Sequence, residues 1–316
     1  MPDLVPLPAS DLALAADYAR QALSPATLAA YRADWEDFSA WCHGRGVPAL
    51  PADPTTVAAY LSAHAVSHAR ATLRRRLAAI GRAHRMKGIP WMPTHPAIRD
   101  TLAGIFRRHG TPPRRAAALG TAELQRLVAT CGGDLAGRRD RALLLLGFAG
   151  ALRRSELVAI HREHLTFTAE GLRLLIPRSK GDQQGEGAEV GIPRGAKAET
   201  CPVRAVEDWL RASDCRFGPV FRKVDMWGGI EREALRPNAV RLILARHAAK
   251  AGLTAGGMDR ISPHSLRSGC VTQAYVNGVP DEAIMAHSRH RDHATMRRYV
   301  RRAKLVDASP AGKLGL

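Results

Sequence analysis

The sequence predicts a mainly α protein in two parts. Residues 1–112 form an all-helical N-terminal domain. Residues 113–316 form an α+β domain, mostly helical with one small antiparallel sheet. Three observations carry this. Apolar residues recur at three- and four-residue steps through most of the chain, the period of an amphipathic helix. Strand-like alternation appears only in the middle, in LTFTAEGLRLLIPRSK and AEVGIPR. The segment TPPRRAA, from Thr111, has the proline and charge of an exposed linker. A chain of 316 residues accommodates about two domains, and 46% hydrophobic residues supply a core, which excludes wholesale disorder.

In SPATLAAYRADWEDFSAWCHGRG, Ser24 is an N-cap and Pro25 the first helical residue. Leu28, Tyr31, Trp35, Phe38 and Trp41 mark the buried face, and Gly44 to Gly46 end the helix. A second helix follows Asp53-Pro54. Ser67 to Gly88 reads as a third, with Leu73, Leu77, Ile80 and His84 on one stripe. HPAIRDTLAGIFRRHG ends a fourth at Gly110. In the second part, TAELQRLVATC opens a helix at Thr121. DLAGRRDRALLLLGFAGALRRSELVAI gives an apolar helix, a break at Gly150 and a second helix. The alternating segments flank GDQQGEG, which predicts a hairpin or three-stranded sheet. Everything after Pro202 reads as helix.

The net charge is +18, from 47 basic and 29 acidic residues, and only seven of the bases are lysines. A GC-rich genome accounts for an arginine bias as well as phosphate recognition does, but a folded chain this basic usually meets a polyanion. The charge is concentrated. Residues 1–60 carry a net of −4, and residues 61–115 a net of +11. Arg70, Arg74, Arg75, Arg82 and Arg85 crowd the surface of the third helix and form the candidate DNA-binding face. Five cysteines without a CxxC pair fit a reduced cytoplasmic compartment. No basic leader precedes an apolar core, and no run of eighteen apolar residues spans a bilayer, so no membrane association is expected.

The sequence has no P-loop, no GxSxG elbow and no HExxH. His287, His290 and His293 have a spacing open to a metal, but the arginines around them disfavour a cation. What remains is oriented toward phosphate. PHSLRSG places His264 and Arg267 on one helical face, suited to moving a proton and gripping oxygens. GALRRSEL places Glu156 one turn after Arg153, where a carboxylate orients a guanidinium or forms an ordinary surface pair. His290 and Tyr299 are nine residues apart. On one continuous helix they would face opposite ways, so convergence requires a break, with Asp292 as the new N-cap. Arg297, Arg298, Arg301 and Arg302 surround Tyr299 in sequence, and positive charge is expected to lower the phenol's pKa and stabilise phenolate.

The order GALRRSEL, a lysine in a β-turn, HSLR, RH and finally Tyr299 resembles the tyrosine recombinases, or phage-type integrases, over roughly residues 116–305. The helical first domain is similar to that family's core-binding domain. The sequence departs from the pattern in two places. Arg289 replaces the usual glycine before the late histidine, and the usual GLR is GAL-R. The resemblance implies that Arg153 and Arg267 clamp the scissile phosphate, and that His264 assists proton transfer. It implies that His290 supports the phosphate and the tyrosine, and that Lys180 protonates the leaving 5′ oxygen. Glu156 would orient the first arginine, and Tyr299 would attack to form a 3′-phosphotyrosine. It further implies a site-specific recombinase acting on double-stranded DNA as a homotetramer across two sites. No cofactor, ATP or metal is implied, because the covalent link retains the phosphodiester energy. Two alternatives share these residues: a type IB topoisomerase-like nicking-closing enzyme, and a basic DNA-binding protein with a decayed site.

Overall fold

A computed structural model describes residues 8–112, 114–177, 186–256, 259–303, 311 and 314. The chain divides into two compact units, Met1–Pro112 and Pro113–Leu316.

The first unit holds α1 (Ala9–Gln21), α2 (Pro25–His43), α3 (Pro54–Ala63), α4 (Arg70–Met86) and α5 (Pro96–His109). Capping chemistry sets the boundaries. Ser24 Oγ accepts from Thr27 N–H, and Asp53 from Thr55 N–H, each with proline at the next position. Phe38, Tyr60, Leu61, Leu73, Ile80 and Ile98 form the centre of one apolar core. On α2 the inner face is narrower than the aromatic pattern indicates. Phe38, Cys42 and Asp34 are buried, while Tyr31, Trp35 and Trp41 are only partly covered. Helix α1 is not announced by the sequence pattern, because Leu12, Leu14 and Tyr18 are exposed and its start has no side-chain cap.

The second unit is built around α7 (Leu135–Ala149), whose Leu143 to Leu146 are fully buried or nearly so. Packed around it are α6 (Thr121–Ala129), α8 (Arg154–Val158), α9 (Pro202–Ala212) and α11 (His264–Val276). The middle of the chain forms the expected sheet. β2 (Leu165–Phe167), β3 (Gly171–Ile176) and β4 (Ala188–Pro193) are antiparallel in that order, with Leu174 opposite both Leu165 and Val190. Leu172, Leu174, Ile176, Val190 and Ile192 point into the core, as alternation requires. Gly269 lets α11 lie directly on the preceding chain, since a Cβ there would run into Leu119 O.

The expectation of helix throughout the chain after Pro202 is corrected. β5 (Arg222–Val224) and β6 (Ile230–Ala234) form a hairpin between α9 and α10 (Pro237–Lys250). β1 (Arg115–Ala116) pairs in parallel with β7 (Asp259–Arg260). The hairpin shows no alternation because β6 is exposed on both faces. Its turn is held by Asp225, which accepts from Trp227 N–H and Gly229 N–H, and by Gly228 at φ +84°. The chain then continues through α11, α12 (Asp281–Ser288) and α13 (His293–Ala303).

Candidate active site

Two sharp reversals create the site. At the first, α7 ends on Gly150, and Ala151 adopts left-handed backbone with φ 46°. Arg153 thereby becomes the N-cap of α8. Its N–H donates to Glu156 Oε2 (2.9 Å), and its Nη1 donates to Glu156 Oε1 (2.6 Å). Glu156 is 5% exposed. Burial alone would raise its pKa, but the bonds from Arg153 and the charge of Arg289 outweigh it, so the carboxyl lies below its ordinary range and is ionised.

His264 and Arg267 share one face at the start of α11. Arg267 is only 1% exposed. Its Nη1 donates to Ala151 O (2.6 Å), and its Nη2 faces His290 Nε2 at 3.3 Å. Burial, then Arg153 and Arg289, push its pKa down to about 10, which leaves it cationic at neutral pH.

The second reversal follows α12, where Arg289 takes left-handed backbone (φ 58°). Asp292 then caps α13, accepting from Ala294 N–H (3.1 Å) and Thr295 N–H (2.9 Å). This break removes the half-turn mismatch: the His290 and Tyr299 ring centroids are 5.5 Å apart. Met296, one turn before Tyr299, is buried with Val271 and Ile284, which fixes the roll of α13. Ser288 Oγ donates to Ile284 O (2.6 Å) and lies 2.6 Å from His290 Nδ1. The network therefore assigns the proton to Nδ1 and leaves His290 Nε2 to accept from Arg267. Burial and the neighbouring cations push His290 down to about 4, so it is neutral at pH 7.

The Tyr299 hydroxyl lies 2.6 Å from His264 Nε2. The expectation that positive charge lowers the phenol's pKa is corrected: it is raised. Burial dominates, and the opposing charges of Arg267, Arg153 and Arg298 do not overcome it. Among the described sequence neighbours, Arg297 is turned away to Asp281 (3.1 Å). His264 is reachable from solvent, yet burial of its ring, followed by Arg267 and Arg153, lowers its pKa. The pair is thus a neutral phenol in hydrogen-bond contact with a neutral imidazole, and the phenol is the donor in the tautomer that leaves Nε2 unprotonated. It sits on the wall of an open cleft of about 690 Å³, also lined by Arg115, Thr295 and Arg298.

The structure therefore gathers Arg153, Glu156, His264, Arg267, His290 and Tyr299. Lys180 lies outside the described residues. His287 Nε2 bonds Ala149 O (2.7 Å). Among the described residues, no group of three His, Cys, Asp or Glu side chains is placed to hold a metal ion. In the first unit the α4 arginines are not equivalent. Arg70, Arg74 and Arg85 are exposed, and the guanidiniums of Arg70 and Arg74 lie 5.3 and 5.2 Å from the Phe106 ring centroid. Arg82 is half-buried. Arg75 is engaged within the unit, gripping Asp34 through Nε (2.7 Å) and Nη2 (3.0 Å). The structure also adds a residue that sequence reasoning passed over. Arg289 donates to Glu156 Oε2 at 3.1 Å. The signal for it was the non-glycine before His290.

A phenol held by a neutral imidazole, beside two oriented guanidiniums, is an arrangement chemically suited to phosphoryl transfer with a tyrosine as nucleophile. Residues 117–305 match the phage integrase family. An integrase/recombinase XerD homolog of Selenomonas ruminantium is 36% identical over 284 residues, covering 88% of this chain and 82% of that protein. The tyrosine recombinase XerD of Ralstonia nicotianae is 25% identical, covering 96% and 94%. The chain belongs to the phage integrase family, the tyrosine-type site-specific DNA recombinases. Its fold is that of the XerH site-specific recombinase, solved bound to a palindromic substrate in a post-cleavage complex (TM-score 0.62, 16% identity, 83% of this chain and 72% of that one). It is likewise that of λ integrase residues 75–356 bound to DNA (TM-score 0.57, 17% identity, 92% and 94%). Among the described residues, no helix is long and apolar enough to cross a membrane.

Proposed function

We propose that Tyr299 cleaves one strand of duplex DNA and that this chain's own residues carry every step. The Tyr299 oxygen attacks the scissile phosphorus, and its proton passes to His264 Nε2. A 3′-phosphotyrosine bond forms as the phosphorus–O5′ bond breaks. Arg153 and Arg267 hold the non-bridging oxygens and stabilise the charge that grows there. His290, neutral, holds the Arg267 fork and supports the phosphate, and Glu156 aims Arg153. Lys180 delivers the proton to the departing 5′ oxygen. Attack by another 5′-hydroxyl reverses these steps and joins a new strand. No energy source is consumed, because one phosphodiester replaces another. The observation that carries this reading is the 2.6 Å contact between the Tyr299 hydroxyl and a depressed-pKa His264, beside Arg267.

In this reading the first unit binds the core of the DNA site through α4, and the second performs the chemistry. A homotetramer holds two duplexes in the cytoplasm. A λ integrase tetramer bound to a Holliday junction has the same fold (TM-score 0.55), which supports the four-subunit arrangement. The test uses a nicked suicide duplex whose sequence the wild-type chain enriches from a random pool. Wild type leaves protein covalently attached to a 3′ phosphate. Tyr299→Phe binds the same duplex without forming the adduct, and an adduct in that variant overturns the assignment.

A further inference from the structure

Arg289 occupies a backbone position that favours glycine, and its side chain is only 9% exposed. Both features are unfavourable for arginine: a Cβ is strained in left-handed backbone, and a guanidinium loses hydration on burial. The side chain leaves its own loop and reaches the reversal that carries Arg153. Nη1 donates to Gly150 O (3.2 Å) and His287 O (2.9 Å). Nη2 donates to Ala151 O (3.2 Å) and Glu156 Oε2 (3.1 Å). Two of these acceptors are shared with the phosphate-gripping arginines. Ala151 O also accepts from Arg267 Nη1, and Glu156 Oε2 also accepts from the Arg153 backbone N–H, while Oε1 accepts from Arg153 Nη1. The next residue, His290, faces Arg267 Nη2.

We propose that Arg289 is a positioning residue that clamps the Arg153 reversal to the segment bearing His290, setting the poses of Arg153 and Arg267 through Glu156 and Ala151 O. The proposal rests on the reading of Arg153 and Arg267 as the phosphate grip. Glu156 faces two guanidiniums, so its single negative charge cannot neutralise both Arg153 and Arg289. Arg153 keeps a net attraction for an incoming phosphate and is still held by one oxygen and one backbone bond. A glycine at 289 relieves the backbone but leaves the two reversals joined by fewer bonds. Small misplacements of groups that hold a transferring phosphoryl are expensive in rate.

Arg289→Gly tests this, because it suits the backbone, and Glu156 retains Arg153 as a partner. Single-turnover adduct formation is followed on the nicked duplex that wild type selects, at saturating DNA, together with DNA affinity and thermal midpoint. Arg289→Gly is expected to cleave about ten- to a hundredfold more slowly, with affinity and midpoint close to wild type. Arg289→Lys keeps the charge, loses the planar fork and fails to restore the rate. With Glu156→Gln the two effects do not multiply: the double variant is about as slow as the slower single one. A cleavage rate for Arg289→Gly or Arg289→Lys within about twofold of wild type, well inside the loss expected from mispositioning, overturns the proposal. So does a multiplicative double variant, or a loss of rate accounted for by lost affinity and midpoint. An adduct persisting in Tyr299→Phe indicts the nucleophile assignment instead, and the Arg289→Gly rate ratio still reads Arg289.

Discussion

Arginines dominate two regions of this molecule, and the regions use them in opposite ways. On α4, Arg70, Arg74 and Arg85 are exposed. Their charges act through water, are screened by salt, and tolerate imprecise placement. In the second unit Arg267 is buried, Arg289 is largely covered and Arg153 is held by a buried carboxylate, each guanidinium directed by named acceptors. The same burial that directs them also keeps His264 and His290 neutral and raises the Tyr299 phenol. On the proposed function, the contrast is between guanidiniums that supply affinity because they are solvated and guanidiniums that serve chemistry because their direction is fixed.

The largest break in this comparison comes from the buried set. Arg153→Ala is expected to slow adduct formation by about 10²–10³, the scale of losing one preorganised donor to a developing charge. It should leave DNA binding nearly intact. Gel-shift affinity and single-turnover cleavage measured side by side check this, and a loss confined to affinity would move Arg153 into the solvated class.

An intermediate effect is expected from pH. In the proposed mechanism His264 acts as base in its neutral form, and its folded pKa lies below the ordinary 6.5. Cleavage should therefore be flat upward from about pH 6.5 and fall as pH drops below it. Stability shares this sign. His264 and His290 bind protons more weakly folded than unfolded, so their contribution is complete above the unfolded pKa and is lost as pH falls toward the His290 value of about 4. A rate that instead climbs tenfold per pH unit between about 7 and 9 would mean that free phenolate, with an ordinary pKa of about 10, attacks without His264.

The smallest effect concerns α4 and divides its own arginines. Replacing Arg74 and Arg85 with alanine should weaken DNA binding and reduce the salt slope by roughly one per lost contact. Arg75→Ala should leave the slope nearly unchanged and lower the thermal midpoint instead, because it strands the buried Asp34 with only the more distant Arg76 (3.9 Å). Equal slopes for Arg75→Ala and Arg74→Ala would show that the Asp34 bond does not withhold Arg75 from DNA.

The legible parts of this protein are those decided by chemistry within a few residues. Ser24, Asp53 and Asp292 cap helices because their side chains reach backbone N–H groups two or three residues on. The mismatch between His290 and Tyr299 required a break, and the break lies at Arg289 and Asp292. The core strands β3 and β4 showed themselves through alternation because one face is buried. By the same reasoning β5, β6 and α1 gave no signal, since little of them is buried to leave a pattern.

Sequence alone thus pointed to the capped helix starts at Pro25, Pro54 and His293, to the three-stranded sheet, and to the set Arg153, Glu156, His264, Arg267, His290 and Tyr299 that the structure brings together. Tertiary structure decided what those residues are like. It turned the phenol's pKa upward where neighbouring arginines in sequence pointed downward, because the pKa depends on burial by packing from α11 and α12 as well as on nearby charge, and burial outweighs the charge. It gave Arg75 to Asp34, 41 residues away, and Arg289 to Glu156, 133 residues away. Helix caps are contacts along the chain and can be read from its order. Desolvation and ion pairing are contacts across space, and they exist only once the chain has folded back on itself.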